Sequence, residues 1–313
     1  MKKIVSVSLG SSKRDHEIEV NFLGENFKIV RRGTDGDYKK AELLLKELDG
    51  HVDAIGLGGI DVYLYSKTRQ YTLKYGMKLK EIVQKTPVVD GSGLKNTLEK
   101  IVIEFLERDS RFQFAGKNCL MVCAMDRFGM ATSLVKAGCN MVFGDKIFAL
   151  GINQEIHSLE ELEKEADKLL PEIAKLPISM IYPVGEKQET YAELKKMHTG
   201  PYDRADIIAG DFHYIRRFLP ERIDGRDIIT NTVTSADIEM LKEKGVRYLV
   251  TTTPELGGRS FGTNVLEATL LVILKKTWKQ VTEQDYLSLI ERLQLKPRIV
   301  ELNPKIKKAP IEI

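Results

Sequence analysis

Apolar positions along this chain fall into short runs that alternate with helical spacings. Ile4–Leu9 alternates apolar residues with Ser6 and Ser8, the period-two pattern of a half-buried strand. Glu17–Leu23 and Phe27–Arg31 read as strands on either side of Gly24-Glu25-Asn26, a hairpin signal. Asp37–Leu48 reads as an amphipathic helix with apolar Ala41, Leu43, Leu44, Leu45 and Leu48, and Gly50 stops it. Val52–Leu57 is a buried strand that runs into Gly58-Gly59. Leu79–Gln84 reads as a helix, Pro87–Val89 as a short strand and Leu94–Glu107 as a long helix.

Further along, strands are predicted at Cys119–Ala124, Met141–Phe143, Ile178–Tyr182, Asp206–Ala209, Asp227–Thr230 and Arg247–Thr251. Helices are predicted at Gly129–Ala137, Leu159–Leu170, Ala236–Lys244, Asn264–Lys275 and Glu283–Leu293, the last capped by Thr282. Strands alternating with helices predict a mostly parallel sheet covered on both faces. The expected fold class is α/β in two domains. Residues 1–107 form an N-terminal α/β substrate domain, and residues 108–313 a C-terminal Rossmann-like nucleotide-binding domain with the final helices.

The most informative unit runs from Cys119 to Asp145. An apolar strand meets a tight turn, a helix follows, Gly138 ends it, and a second apolar strand closes on an acid. A dinucleotide site needs this order. A helix N-terminus offers free amides to the pyrophosphate, and an acid about 20 residues on holds a ribose hydroxyl. Asp145 falls near that spacing after Ala124. The glycines of G-x-G-x-x-G align with Ala124, Asp126 and Gly129, so one of three is kept. Asp126 is the serious departure. A carboxylate about 4 Å from a phosphate costs roughly 1 kcal/mol in water, or about 4 kcal/mol at an effective dielectric near 20. Arg127 offsets this, or the loop takes another path. Ala124, Asp126, Arg127, Phe128 and Gly129 are the candidate cofactor turn. Asp145 favours NAD over NADP, because a carboxylate repels a 2′-phosphate. Strand ends further on add Asp211, His213, Asn231 and Thr232, since open α/β sheets bind ligands beyond the carboxyl ends of their strands.

Composition narrows the classes. The 313 residues are 42% hydrophobic and 30% charged with a net charge of +3, so a nucleic-acid partner, which wants a concentrated basic face, is not expected. Cys119, Cys123 and Cys139 are too few and too oddly spaced for a disulfide framework or a zinc site, and no metal is expected. Met1-Lys2-Lys3 precedes no signal-peptide core, and no apolar run approaches roughly 18 residues. A cytoplasmic protein with no membrane partner is expected, its ligand a small molecule, with a homodimer left open.

Val89-Asp90-Gly91-Ser92-Gly93, a long helix and then Phe114-Ala115-Gly116-Lys117 resemble the junction between domains in the shikimate/quinate dehydrogenase family. The chain as a whole resembles bacterial sequences labelled quinate 5-dehydrogenases, which carry the same Asp126-Arg-Phe-Gly-Met-Ala131 and Gly257-Gly-Arg-Ser-Phe-Gly-Thr-Asn264 stretches. The resemblance implies an NAD(P)-dependent oxidoreductase that takes hydride from a ring hydroxyl of a cyclic polyhydroxy carboxylate. It implies Asp90 as the catalytic aspartate, working with a lysine whose family motif is absent here. Lys67 by order along the chain and Lys95 by nearness to Asp90 are the candidates. It implies a substrate carboxylate held near the N-terminus, where Ser11 and Ser12 stand beside Lys13 and Arg14. It implies a hydroxyl-binding residue near Asn264 or Glu267, neither of which is the family's glutamine. Arg259, in a loop that opens a helix, is a further substrate candidate for a carboxylate or phosphate. The competing readings are a non-redox nucleotide- or metabolite-binding protein on the same scaffold, and an enzyme of another class acting on phosphorylated or acylated substrates.

Overall fold

The structure is a computed structural model that describes residues 1–176, 200–256 and 259–304. The predicted strand Ile178–Tyr182 lies outside the described residues. The first half contains β1 (Lys2–Ser8), β2 (His16–Phe22), β3 (Glu25–Gly33), α1 (Tyr38–Leu48), β4 (Ala54–Gly58), β5 (Tyr63–Tyr65), β6 (Gln70–Thr72), α2 (Lys74–Lys80), β7 (Val88–Val89) and α3 (Ser92–Glu107). Then come β8 (Asn118–Met121), α4 (Phe128–Lys136), β9 (Asn140–Phe143), α5 (Asp145–Leu150), α6 (Leu159–Ile173) and α7 (Gly200–Arg204). The chain continues with β10 (Ile207–Gly210), α8 (Phe212–Phe218), β11 (Asp227–Thr230), α9 (Ser235–Glu243), β12 (Tyr248–Thr251), β13 (Glu255–Leu256) and β14 (Arg259–Ser260). It ends with α10 (Thr263–Leu274), α11 (Glu283–Arg292) and β15 (Arg298–Glu301).

Two parallel-rich sheets organise these elements. The first has the order β2-β3-β1-β4-β7, parallel except for β2. The second has the order β15-β12-β11-β10-β8-β9, parallel except for β15. The β2–β3 hairpin closes one residue earlier than the sequence predicts. Phe22 pairs with Glu25, so Leu23 and Gly24 alone make the turn, both at positive φ (52° and 85°), as the twist of a two-residue hairpin demands. Edge strand β15 escapes prediction because it is four residues long and follows Pro297.

The division between sheets does not follow the chain. Helix α10 belongs to the second half by sequence, yet it packs on β1, β4 and β7. Its Val265, Ala268 and Leu271 join Ile4, Phe27, Ile29 and Val89 in one apolar cluster, while Leu266 and Leu270 meet Leu94 and Leu98 of α3. A helix apolar on nearly every side is one that is covered on every side. Helices α3 and α4 approach closely at Gly129, where a Cβ would stand 2.3 Å from the carbonyl oxygen of Asn96. Among the described residues no helix is long and apolar enough to cross a membrane.

Gly129 thus serves helix-against-helix packing. Gly129→Ala is expected to cost about 1–3 kcal/mol through overpacking against backbone that cannot move aside. Thermal unfolding checks this, and an unchanged midpoint would show that α3 and α4 can separate at no cost.

Candidate functional site

The carboxyl ends of β1, β4 and β7 face those of β8, β10 and β11 across a cleft of about 410 Å³. Each strand hands its chain to a loop at this edge. The loops and the helix starts that follow them bring Asp61, Asp90 and Lys95 from one side and Asp126, Arg127, Asp211, His213, Asn231 and Thr232 from the other. Asn264, at the start of α10, completes the floor by donating from Nδ2 to Ser6 Oγ at 2.9 Å.

Several amides of the turn after β8 are taken within the fold. Asp145 Oδ1 accepts from the backbone N–H of Ala124 at 2.8 Å and of Met125 at 2.9 Å. At the next turn, the amide of Gly129 is taken by Asn96 Oδ1 at 3.0 Å. Asp145 is 4% exposed and does not reach out as a ribose ligand. A pyrophosphate approaching the turn would have to displace a carboxylate already holding these donors, so the residues do not fit a dinucleotide here. Ala124 and Phe128 are buried in the core beneath. Asp145 Oδ2 is buried without a partner among the described residues, and burial pushes the carboxyl up to about 7.

Asp126, the departure from the glycine motif, is explained by Lys95. Lys95 Nζ lies 3.0 Å from Asp126 Oδ2 and 3.7 Å from Asp61 Oδ1, with both ends of the closer pair nearly buried. Burial works against the ammonium, but the two carboxylates outweigh it and hold Lys95 above the ordinary lysine range. Burial likewise opposes the Asp126 carboxylate, and Lys95 and Arg127 bring it down to about 2. Lys95 is therefore a fixed cation and donor, and no general base. Arg127 ties the turn to α3 through Glu99 and to the β10 loop through Asp211 Oδ2 at 2.9 Å. Asp211 also caps α8 through the His213 amide and accepts from Asn231 Nδ2 at 2.7 Å.

Asp90 lines the cleft, but its oxygens are occupied. Oδ2 accepts from the amides of Val62 and Tyr63, and Oδ1 accepts from the amide and hydroxyl of Ser92. A carboxylate has about four acceptor positions, so Asp90 anchors the start of α3 and the loop before β5. Lys67 stands apart, exposed and 3.4 Å from Glu163. Glu267 is wholly buried. It accepts from the Gly91 amide and the Tyr286 hydroxyl, each at 2.8 Å, and burial pushes it up to about 8. It clasps α3, α10 and α11 together and does not face a ligand. Ser11 caps the short turn Ser12–Arg14, and the Ser12 amide donates to Asp35; neither lines the cleft, whereas Ser6 and Ser8 of β1 do. The side chain of Arg259 lies outside the described residues. Sequence reasoning also passed over Asp61, Arg31 and Arg298, which line the cleft from distant segments. Asp61 alone had a signal, since it follows the glycine-rich end of β4.

Removing the cation should expose the cost of this arrangement. Lys95→Met leaves the buried Asp126 without its ion-pair partner, with an expected loss of about 3–5 kcal/mol. Adding Asp126→Asn should return much of it. Denaturant unfolding of the two single variants and the double variant reads the coupling, and additive losses would show that the pair does not interact. The buried carboxyls set a pH dependence. A carboxyl whose folded pKa exceeds its unfolded value penalises the fold when charged, and the penalty grows as pH rises between those values. For Asp145 stability should fall between about pH 4 and 7, and for Glu267 between about 4.5 and 8. Asp145→Asn keeps an oxygen for both amides and should flatten the lower window; an unaltered pH slope in urea titrations would assign the titration elsewhere.

Among solved structures, a galactofuranose binding protein is 11% identical, covering 94% of this chain and 99% of its own at a TM-score of 0.35. An L-tryptophan dehydrogenase from Nostoc punctiforme is 10% identical, covering 93% and 80% at 0.35. An NAD-dependent malic enzyme from Thermotoga maritima is 12% identical, covering 94% and 84% at 0.33. Likenesses this loose assign no ligand. No curated protein matches the sequence. Residues 3–90 match the profile of a domain of unknown function (DUF8753), and residues 93–302 that of another (DUF8754). The second profile spans well over half the chain, and the chain belongs to the DUF8754 family of domains of unknown function.

Proposed function

We propose that this protein binds a small, polar metabolite in the cleft between its two sheets, with no nicotinamide dinucleotide on the turn after β8. The observation that carries the reading is the Asp145 carboxylate on the Ala124 and Met125 amides. The cleft remains rich in hydrogen-bonding groups at the strand ends where α/β sheets hold ligands. Lys95, Asp61 and Asp126 give it a fixed charge pattern, and Asn231, Thr232 and Asn264 add neutral polar groups suited to a hydroxylated molecule.

The redox alternative, a dehydrogenase of the quinate or shikimate type using NAD or NADP, draws on one observation. Asp90 and Lys95 line the same cleft. Against it, Asp90 is filled with donors and Lys95 is held as an ammonium, so neither is poised to accept the proton of a hydroxyl being oxidised.

Calorimetric titration with NAD, NADH, NADP and NADPH separates the two. No heat at millimolar concentration is expected. Thermal-shift screening against sugars, polyols and hydroxy acids, quinate and shikimate included, is expected to find ligands whose stabilisation is lost in Asp61→Asn. Binding of a dinucleotide would overturn the reading in favour of the dehydrogenase, and a screen without any stabilising compound would remove the cleft as a binding site.

A further inference from the structure

Beside the Asp61 and Asp90 carboxylates, the first-sheet wall of the cleft gathers a group of hydrogen-bond donors. Ser6 and Ser8 face it from β1, Arg31 from β3, and Lys13 and Arg14 from the turn between β1 and β2. Both serines are more than nine-tenths buried. Ser8 Oγ accepts from the Gly10 amide at 3.1 Å and from Arg31 Nη2 at 3.0 Å. Ser6 Oγ accepts from Asn264 Nδ2. Among the described residues neither hydroxyl hydrogen has an acceptor, so each O–H remains to be given to something in the cleft. A buried donor left without an acceptor is costly, and a ligand acceptor removes that cost.

The cations are crowded together. The carbonyl of Ser11 accepts from both the Arg14 amide at 3.3 Å and Arg31 Nη1 at 2.9 Å, which places the two residues side by side. Burial, reinforced by the charge of Arg14, draws the Arg31 guanidinium down to about 10. Asp15 answers Arg31 at 2.8 Å. Arg14 reaches across the cleft to His213 Nε2 at 3.5 Å, and the Asp35 carboxylate joins Asp15 in acting on Arg31. Three cations lining one stretch of wall beside two unspent hydroxyls suit a multiply charged acceptor. A carboxylate brings one charge and two oxygens. A phosphate monoester brings close to two charges and three strong acceptor oxygens.

We propose that Ser6, Ser8, Lys13, Arg14 and Arg31 form a subsite for a phosphate group, free or esterified to the metabolite that the cleft binds. The proposal rests on the cleft being the binding site, and names what its ligand carries.

Inorganic phosphate is the first probe, followed by calorimetry under identical conditions. Phosphate is expected to bind where acetate at equal concentration does not. Lys13→Gln and Arg14→Gln should each weaken it about tenfold or more, the scale of a lost charge-assisted contact, and Ser8→Ala should weaken it with no change of net charge. Circular dichroism checks that each variant is folded. Ribose 5-phosphate against ribose then separates the sources. Tighter binding of the ester than of inorganic phosphate assigns an esterified ligand, and equal binding assigns free phosphate. Absent phosphate binding, equal binding of acetate, or affinity unchanged in all three variants would overturn the subsite. If uncharged polyols still stabilise the protein in that case, the cleft reading stands and only the phosphate assignment falls.

Discussion

Two backbone amides at the end of β8 and the one carboxylate that fills them govern what the second sheet can hold. A strand entering a helix through a tight turn leaves N–H groups that must find acceptors. In nucleotide-binding folds the acceptor is a phosphate of the ligand. Here Asp145, delivered by the neighbouring strand β9, supplies it from within. Those two amides are thereby satisfied without a ligand, and the chemistry of the cleft passes to the groups around them.

Those groups form a continuous ionic frame. Lys95 reaches from α3 to Asp126, and Arg127 reaches from the same turn back to Glu99 on α3 and forward to Asp211. Buried pairs of this kind give little net stability, because taking each ion out of water costs nearly what their attraction returns. Their effect is geometric. They fix the turn, helix α3 and the β10 loop in one relation, and so fix the cleft between the sheets.

The sequence made the elements legible wherever periodicity was strong. The unit from β8 through α4 to β9 was read in the right order, and Asp145 was placed at a meaningful spacing. Its role is not legible there, because spacing reports where a side chain starts and says nothing of which way it turns. Asp126 looked like a defect in a glycine motif, and only the approach of Lys95 across two elements explains it. The choice between Lys67 and Lys95 shows the same limit. Both satisfy order along the chain, and the fold sends one to Glu163 at the surface and the other into the cleft. Arg31 and Arg298 carried no local signal, since the site they line is assembled from segments hundreds of residues apart.

The seating of α10 has a consequence for how the molecule is made. The first sheet forms from residues that leave the ribosome early, yet one of its faces, with Ile4, Phe27, Ile29 and Val89, stays bare until Val265, Ala268 and Leu271 arrive. Closing a loop of that length is entropically slow. A nascent chain therefore carries that apolar face uncovered until α10 has been made. The order in which the sheet and its cover are encoded thus makes a late-made helix the one that seals the first-made sheet.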